Sequence, residues 1–364
     1  MIIGIDASRA FVSERTGIEE YSYQVIKHLT DKLAEHRVIL YIRGDQRSAI
    51  SDQNFTIPEK WRVKKIRMPK LWTQAGLSLE MFFHPPDVLF VPSHVVPLIH
   101  PKNTLVTVHG LEYEILPFAY SLWEKLYMRW SIKFSCLWAK KIIAVSENTK
   151  KDLIKLYRVP EGKIKVIYEG RDNCHSGIDP ESSEINNGKY LLFIGRLEER
   201  KNIIGIARAF EILKEHYEIP HKLVLAGKFG YGEAKIRQEI KNINCPGDIV
   251  LTGFVSEEEK WKLLKNAEVF LFPTFYEGFG LPVLEAQSVG VPVVAGNNSS
   301  IPEIAKNNSV ILVNPDNAEE IADKTYEIIS EKKLRDDMRE RGYENAKRFS
   351  WDKCAEEIAE ILVG

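Results

Sequence analysis

Short apolar runs and amphipathic stretches alternate along this chain in a fixed order, and that order leaves few folds open. The segments at residues 2–5, 37–42, 63–67, 88–91, 104–108 and 141–145 predict strands. Helical stretches at 17–35, 121–137 and 147–157 lie between or after them. Repetition of strand then helix means a parallel sheet with helices on both faces. The pattern breaks at 171–188, where Asp, Asn, Ser, Gly and Pro replace apolar residues, as in an interdomain linker. It then restarts. Strands are predicted at 190–194, 222–226, 249–251, 269–272, 291–295 and 310–313, with helices at 203–215, 257–264, 282–289 and 318–329. The expected architecture is α/β: two doubly wound domains facing a cleft, 1–170 and 189–348, joined by the linker. Residues 332–363 predict two more helices meeting at Phe349-Ser350-Trp351, with Ser350 as a cap.

A chain of 364 residues accommodates two such domains. Hydrophobic residues at 44% and charged residues at 28% exclude a disordered chain. A net charge of −1 gives no nucleic-acid signal. Residues 1–170 nevertheless carry 25 Lys and Arg against 18 Asp and Glu. That basic half suits an anionic acceptor, an anionic membrane surface, or ordinary solvated faces. Cys136, Cys174, Cys245 and Cys354 are far apart and form no Cys-x-x-Cys pair, which fits a reducing compartment. The first residues run straight into a strand without a basic leader, so a cytoplasmic protein is expected, with room for contact at the cytoplasmic face of a membrane.

The most informative local run is Glu277-Gly278-Phe279-Gly280-Leu281-Pro282-Val283-Leu284-Glu285. It follows a predicted strand and opens a predicted helix, with Pro282 in the first turn. Gly278 and Gly280 strip side chains from the turn, so backbone N–H groups there can approach a ligand. A helix N-terminus attracts phosphate, so carboxylates on both sides of it call for sugar or ribose hydroxyls. Near a helix start Glu285 also complements the dipole, whereas Glu277 has no such structural reason.

Three further signals fall at predicted carboxyl ends of strands, where parallel sheets bind ligands. Gly17 lies between the first strand and the first helix; it resembles a phosphate-approaching turn, but taken alone it reads rather as a plain loop-to-helix turn than as a ligand contact. His109 ends the strand at 104–108; a neutral imidazole there can hydrogen-bond a reacting group, or simply satisfy a turn. Arg196 and Lys201 follow the strand at 190–194 and suit a diphosphate, while Glu198, Glu199 and Arg200 read as a solvated charge run. The histidines show no metal-ligand spacing, and there is no Asp-x-Asp, so neither metal nor cofactor is expected.

Together these segments resemble the retaining nucleotide-sugar glycosyltransferases of family 4, which have the GT-B fold of two Rossmann-like domains. The likeness spans nearly the whole chain. It takes in the Gly17 turn, Val108-His109-Gly110, Gly195-Arg196 with Lys201-Asn202, the paired glutamates, Gly290-Val291-Pro292-Val293-Val294-Ala295, Val313-Asn314-Pro315-Asp316 and Phe349-Ser350-Trp351. The resemblance implies that Glu277 contacts donor-sugar hydroxyls and Glu285 the ribose. It implies that Gly278, Phe279, Gly280 and Leu281 offer backbone N–H groups, and that Arg196 and Lys201 clamp the diphosphate. Phe254 and Val255 would line the base pocket, Gly17 would approach the phosphates, and His109 would sit beside the transferred sugar. The last helix, 349–364, would cross back to the N-terminal domain. Gly110 replaces the Asp often found after the family's histidine, so donor preference does not carry over. The implied partners are a nucleoside diphosphate sugar and a glycan or lipid-linked acceptor. A non-catalytic relative acting as a partner subunit is the rival reading, and a GT-B phosphorylase or an epimerase is a second.

One segment is unusually aromatic. Trp123, Tyr127, Trp130, Phe134 and Trp138 recur at helical spacing beside Lys125, Arg129 and Lys133. This periodicity favours a stripe packed into the domain over a membrane-facing one.

Overall fold

The computed structural model describes residues 1–12, 14–44, 55–68, 71–171 and 189–364. The linker expected at 171–188 therefore lies, from residue 172 onward, outside the described residues, as does Cys174. The chain divides into two compact units. The first comprises Met1–Glu114, Leu122–Gly170 and Ser350–Gly364, and the second Ile115–Ser121 and Arg171–Phe349.

In the first unit, β1 (Ile2–Asp6), β2 (Arg37–Arg43), β3 (Trp61–Ile66), β4 (Val88–Val91), β5 (Thr104–Val108), β6 (Lys141–Ala144) and β7 (Ile164–Val166) form one parallel sheet. Their order is β3-β2-β1-β4-β5-β6-β7. Every residue of β5 is buried, as expected of a strand covered on both faces. The longer helices of this unit are α1 (Gly17–Lys32), α2 (Ser78–Phe83), α3 (Leu122–Trp138) and α4 (Glu147–Tyr157).

In the second unit, β8 (Tyr190–Ile194), β9 (Lys222–Ala226), β10 (Ile249–Gly253), β11 (Val269–Phe272), β12 (Val293–Gly296) and β13 (Ile311–Val313) form a parallel sheet in the order β10-β9-β8-β11-β12-β13. Its longer helices are α5 (Ile203–His216), α6 (Glu233–Asn242), α7 (Glu257–Asn266), α8 (Leu281–Ser288), α9 (Ala318–Ser330) and α10 (Lys332–Ala346). Phe193 and Phe272 stack across β8 and β11 at 6.0 Å, filling the sheet's centre. The strand β7 and the helix α6 were not expected. The strand has only three residues and carries Lys165 at its centre, while α6 buries just Ile236 and Ile240.

The last helix, α11 (Trp351–Val363), belongs to the first unit. Ser350 caps it, accepting from the Lys353 N–H at 3.4 Å. Asp352 pairs with Lys32 of α1 at 2.9 Å. Trp351, Cys354, Ala355, Ile358, Ala359 and Leu362 are all buried. Burial of Ile358 and Leu362 contributes about 1.5–3 kcal/mol each.

The aromatic stripe of α3 corrects the sequence reading. The buried residues of this helix are Ser131, Ile132, Ser135 and Cys136, and the small side chains of Ser131, Ser135 and Cys136 allow close packing. Trp123, Tyr127 and Trp130 point outward, with Trp123 80% exposed. Phe134 and Trp138 are half-buried. Periodicity identified one face of this helix correctly but could not say which way it pointed.

Candidate functional site

The order of the second sheet reverses between β8 and β11, and such a switch opens a crevice at the carboxyl ends of the two strands. Topology therefore places the turns that leave these strands. Gly195 leaves β8 at φ +150, and its N–H donates to Ala226 O at 2.9 Å. Gly227 leaves β9 at φ +141, and a Cβ there would lie 1.9 Å from Gly195 O. Only glycine permits this approach, so two neighbouring strands end without side chains.

Arg196 is exposed. Lys201 closes the short turn Glu199–Lys201 and is buried. Its Nζ lies 2.5 Å from Glu277 Oε1 and 5.3 Å from the Phe272 ring centre. Burial, reinforced by Arg200, holds the Lys201 ammonium below its ordinary value, against the pull of Glu277. The charge run between Arg196 and Lys201 is not wholly solvated, contrary to expectation: Glu198 is buried and pairs with Arg200 at 2.6 Å.

Asn202 has the left-handed backbone expected of few residues besides Gly, Asn and Asp. Its Oδ1 accepts from Gly205 N at 3.2 Å and caps α5, and its Nδ2 donates to Pro273 O at 3.0 Å and Pro315 O at 2.6 Å. One side chain thus ties the turn after β8 to the turn after β11.

After β11, Glu277 is 7% exposed. Its N–H donates to Ser299 Oγ at 3.0 Å, and the buried Ser300 hydroxyl lies 3.0 Å from Glu277 O and 2.6 Å from Phe279 O. Gly280 has φ +112, and a Cβ there would lie 2.8 Å from Ile301 Cδ1. It forms the N-cap of α8, with Leu281 and Pro282 opening the helix. Phe279 is buried edge-on to Phe349 at 5.7 Å, and Gly278 is half-buried.

Glu285 is 9% exposed on α8, and its Oε1 accepts from Lys260 Nζ of α7 at 2.8 Å. Lys260 also pairs with Glu257 at 2.7 Å. Burial alone would lower the Lys260 ammonium, but Glu285 and Glu257 carry it above the ordinary lysine value. Beyond β10, Phe254 is half-exposed with Lys228 Nζ 5.0 Å from its ring centre, and Val255 is half-buried.

Gly17 and His109 belong to the first unit. Gly17 begins α1, and a Cβ there would meet no described protein atom within 4 Å, so internal packing does not demand glycine. His109 follows β5. Its Nδ1 is 3.2 Å from Glu169 Oε1 and its Nε2 is 2.8 Å from Pro92 O. Tyr21, one turn into α1, packs edge-on against its ring at 4.5 Å. The loop after β4 joins the cluster through the Pro92 carbonyl and through His94 Nδ1, which accepts the His109 N–H at 3.4 Å.

Sequence reasoning missed Lys260, Ser299, Ser300 and Glu169. Lys260 reads as an ordinary helix partner of Glu257, three residues before it. The two serines act through contacts more than twenty residues away, and Glu169 acts across sixty.

Two family models match the chain. The model for glycosyl transferases group 1 matches residues 177–345, and the model for Glycosyltransferase Family 4 matches residues 15–173. Among curated proteins, the chain is 29% identical to O-antigen chain mannosyltransferase B of Escherichia coli, over 70% of this chain and 68% of that one. It is 28% identical to the O-antigen chain mannosyltransferase RfbU of Salmonella typhimurium, over 54% of this chain and 52% of that one. Among solved structures it resembles WaaG, a glycosyltransferase involved in lipopolysaccharide biosynthesis, with a TM-score of 0.74 at 15% identity over the full length of both chains. It also resembles Anabaena Alr3699/HepE in complex with UDP-glucose, with a TM-score of 0.75 at 17% identity, covering 100% of this chain and 99% of that one. At such identities the structural likeness speaks for the fold.

Proposed function

We propose, from the premise that this chain belongs to the GT-B glycosyltransferases of the family-4 type, that it moves a sugar from a nucleoside diphosphate sugar to a hydroxyl of a glycan or lipid-linked glycan in polysaccharide or glycoconjugate assembly, with the anomeric configuration retained. The observation that carries this reading is the pair of buried carboxylates around the start of α8, each held by its own lysine. Glu277 addresses the hydroxyls of the transferred sugar and Glu285 those of the ribose. Phe254 and Val255 line the base, and Gly17 lets the first turn approach the phosphates. Arg196, Lys201 and the N-terminus of α8 meet the charge that grows on the departing diphosphate. Positioning and electrostatics then supply the rate, and front-face attack by the acceptor accounts for retention without a protein nucleophile. The mannosyltransferase names of two relatives and the UDP-glucose complex of a structural neighbour support a hexose donor of this kind.

On this reading the charge inventory lets transfer proceed without a divalent metal. The test is a panel of nucleotide sugars offered to protein dialysed against excess chelator. The donor should raise the unfolding temperature, a ligand at 100 times its Kd adding about 2.7 kcal/mol, and transfer should proceed. Activity that returns only with Mg²⁺ or Mn²⁺ would sink the roles given to Arg196 and Lys201.

The outward face of α3 supports, in this reading, contact with a lipid surface. Leu122, Trp123, Leu126, Tyr127 and Trp130 are exposed together, beside Lys125 and Lys133. Aromatic rings and cations on one helix face suit an anionic bilayer, with rings at headgroup depth and lysines toward phosphate. Arg129 adds little charge, because Glu114 holds it bidentately. No helix among the described residues is long and apolar enough to cross a membrane. The protein should sediment with phosphatidylglycerol vesicles and not with phosphatidylcholine vesicles. Replacing Trp123, Tyr127 and Trp130 together with Ser should abolish this while leaving the unfolding temperature within a few degrees. Equal sedimentation of the triple variant would remove the helix from that role.

A further inference from the structure

We infer that the groove between β3 and α2 is the seat of the acceptor's lipid, with Lys65 and Arg67 on its phosphate and Leu79 and Phe83 along its hydrocarbon chain. The inference rests on the proposed transfer to a lipid-linked glycan and names where that lipid is held.

The groove has a volume of about 260 Å³ and lies at the edge of the first sheet, where β3 is the outermost strand. Ile66, Met68, Leu79 and Phe83 line it with hydrocarbon, and Lys65 and Arg67 line it with charge. Leu79 is 50% and Phe83 66% exposed, and the exposed Phe82 lies edge-on to Phe83 at 5.1 Å. Glu80 is the one carboxylate among the lining residues, and Lys64 Nζ holds its Oε1 at 2.6 Å. Lys65 and Arg67 are exposed, and neither has an ion-pair partner among the described residues.

Lysines on an edge strand keep other chains from pairing with it. That accounts for the cations of β3 but not for bare phenyl rings beside them, and exposed apolar patches mark contact sites. An apolar trough with two unpaired cations matches an amphiphile with an anionic head. Phosphate suits that head, since Arg meets it with a planar fork and Lys with a point charge. A neutral sugar finds no such match, because the groove's one carboxylate is committed to Lys64.

Strand register aligns the groove with His109. Ile5 of β1 pairs with Leu40 and with Phe90; Leu40 in turn pairs with Val63, and Phe90 with Leu105. Val63 of β3 and Leu105 of β5 are therefore level. Four residues further along each parallel strand, Arg67 is level with His109. Four strand-to-strand steps separate β3 from β5, about 19 Å at about 4.8 Å each. A lipid diphosphate seated at Arg67 would thus lay its first sugars across the carboxyl ends of β2, β1 and β4. They would run toward His109, which the family resemblance puts beside the transferred sugar.

The test uses hexyl, octyl and decyl phosphate as probes, each below its micelle concentration, in calorimetric titrations without any sugar donor. Affinity should rise about threefold to fourfold per added methylene, the increment for burying one CH₂, and inorganic phosphate should not bind measurably. Lys65→Ser combined with Arg67→Ser should weaken decyl phosphate about tenfold or more. Leu79→Ser combined with Phe83→Ser should flatten the dependence on chain length. Because all four residues are exposed, both variants should keep the parent's unfolding temperature. Replacing Trp123, Tyr127 and Trp130 with Ser should leave decyl phosphate binding intact, which separates this groove from the face of α3. In transfer assays, sugars should be offered both as decyl diphosphate esters and as methyl glycosides. The Lys65/Arg67 variant should raise KM about tenfold for the esters and leave the glycosides unchanged.

Inorganic phosphate binding as tightly as decyl phosphate would overturn the inference, as would decyl phosphate affinity that survives both groove variants or falls in the α3 variant. Transfer that proceeds in a protein unable to bind decyl phosphate would sink the inference and spare the functional reading. A protein that binds decyl phosphate in the groove but transfers no sugar from any donor would sink the functional reading, and the acceptor role of the groove with it.

Discussion

Replacing Lys201 with Met should destabilise the protein by about 3–5 kcal/mol and remove most transfer activity. Lys201 Nζ is the close partner of Glu277 Oε1, and both side chains are nearly excluded from solvent. Removing the ammonium leaves a carboxylate with no counter-charge in a low-dielectric site, and that uncompensated charge accounts for most of the expected loss. A second substitution separates fold from function. Lys201→Met combined with Glu277→Gln removes both charges and should recover most of the lost stability, yet on the proposed roles transfer should remain low, a cation for the diphosphate and an acceptor for the sugar both being gone. Urea unfolding of the single and double variants measures the first effect, and a transfer assay the second. A single variant as stable as the parent would mean that the pair is not buried in solution.

Glu285→Ala should have the next largest effect, on binding more than on folding. Lys260 would keep Glu257, which is more than half exposed and a weaker counter-charge. A stability loss of about 1–3 kcal/mol follows from leaving a half-buried donor only partly satisfied. If Glu285 holds the ribose as proposed, affinity for the nucleoside diphosphate should fall about tenfold or more, because hydrogen bonds to a charged acceptor are worth roughly 1.5–3 kcal/mol. Adding Lys260→Met should restore stability without restoring affinity. Calorimetric titration with the nucleoside diphosphate decides the matter, and unchanged affinity in a folded Glu285→Ala protein would remove Glu285 from the ribose.

These buried pairs mark the limit of what could be read from the amino-acid order. Both sheets were legible because central strands such as Tyr190–Ile194 and Thr104–Val108 are apolar or β-branched throughout, and helices such as Ile203–His216 carry a clear apolar face. Glu277 and Glu285 stood out because glycines and a proline frame a turn between them. Their partners did not. Lys201 was visible as a cation after a strand, but nothing in the sequence paired it with a glutamate 76 positions away. Lys260 looked like surface charge because its second carboxylate is on another helix. The stripe on Leu122–Trp138 failed for a different reason. Both faces of that helix share one period, and what settled the orientation was the small inward set Ser131, Ser135 and Cys136, whose packing depends on the sheet beneath. Local pattern is encoded locally, whereas charge pairing and the choice of face are decided by residues distant in the chain.

Recombination between two enzymes of this design would require insertion, not end-to-end joining. Ser350–Gly364 is grouped with Met1–Glu114 and Leu122–Gly170, so the long segment Arg171–Phe349 of the second unit is embedded within the sequence of its neighbour. Gly170 and Trp351 are so close that a Cβ on the glycine would fall 2.1 Å from the Trp351 nitrogen. The two seams of a chimera therefore meet at one spot on the host, as they do where whole domains are tolerated as inserts. A library that fuses the front of one parent to the back of another would strip the host of Trp351, Ile358 and Leu362 and replace them with a stranger's helix against Gly17–Lys32. A library that cuts at 170/171 and 349/350 keeps that helix with its native partner, and is the one from which folded hybrids should emerge.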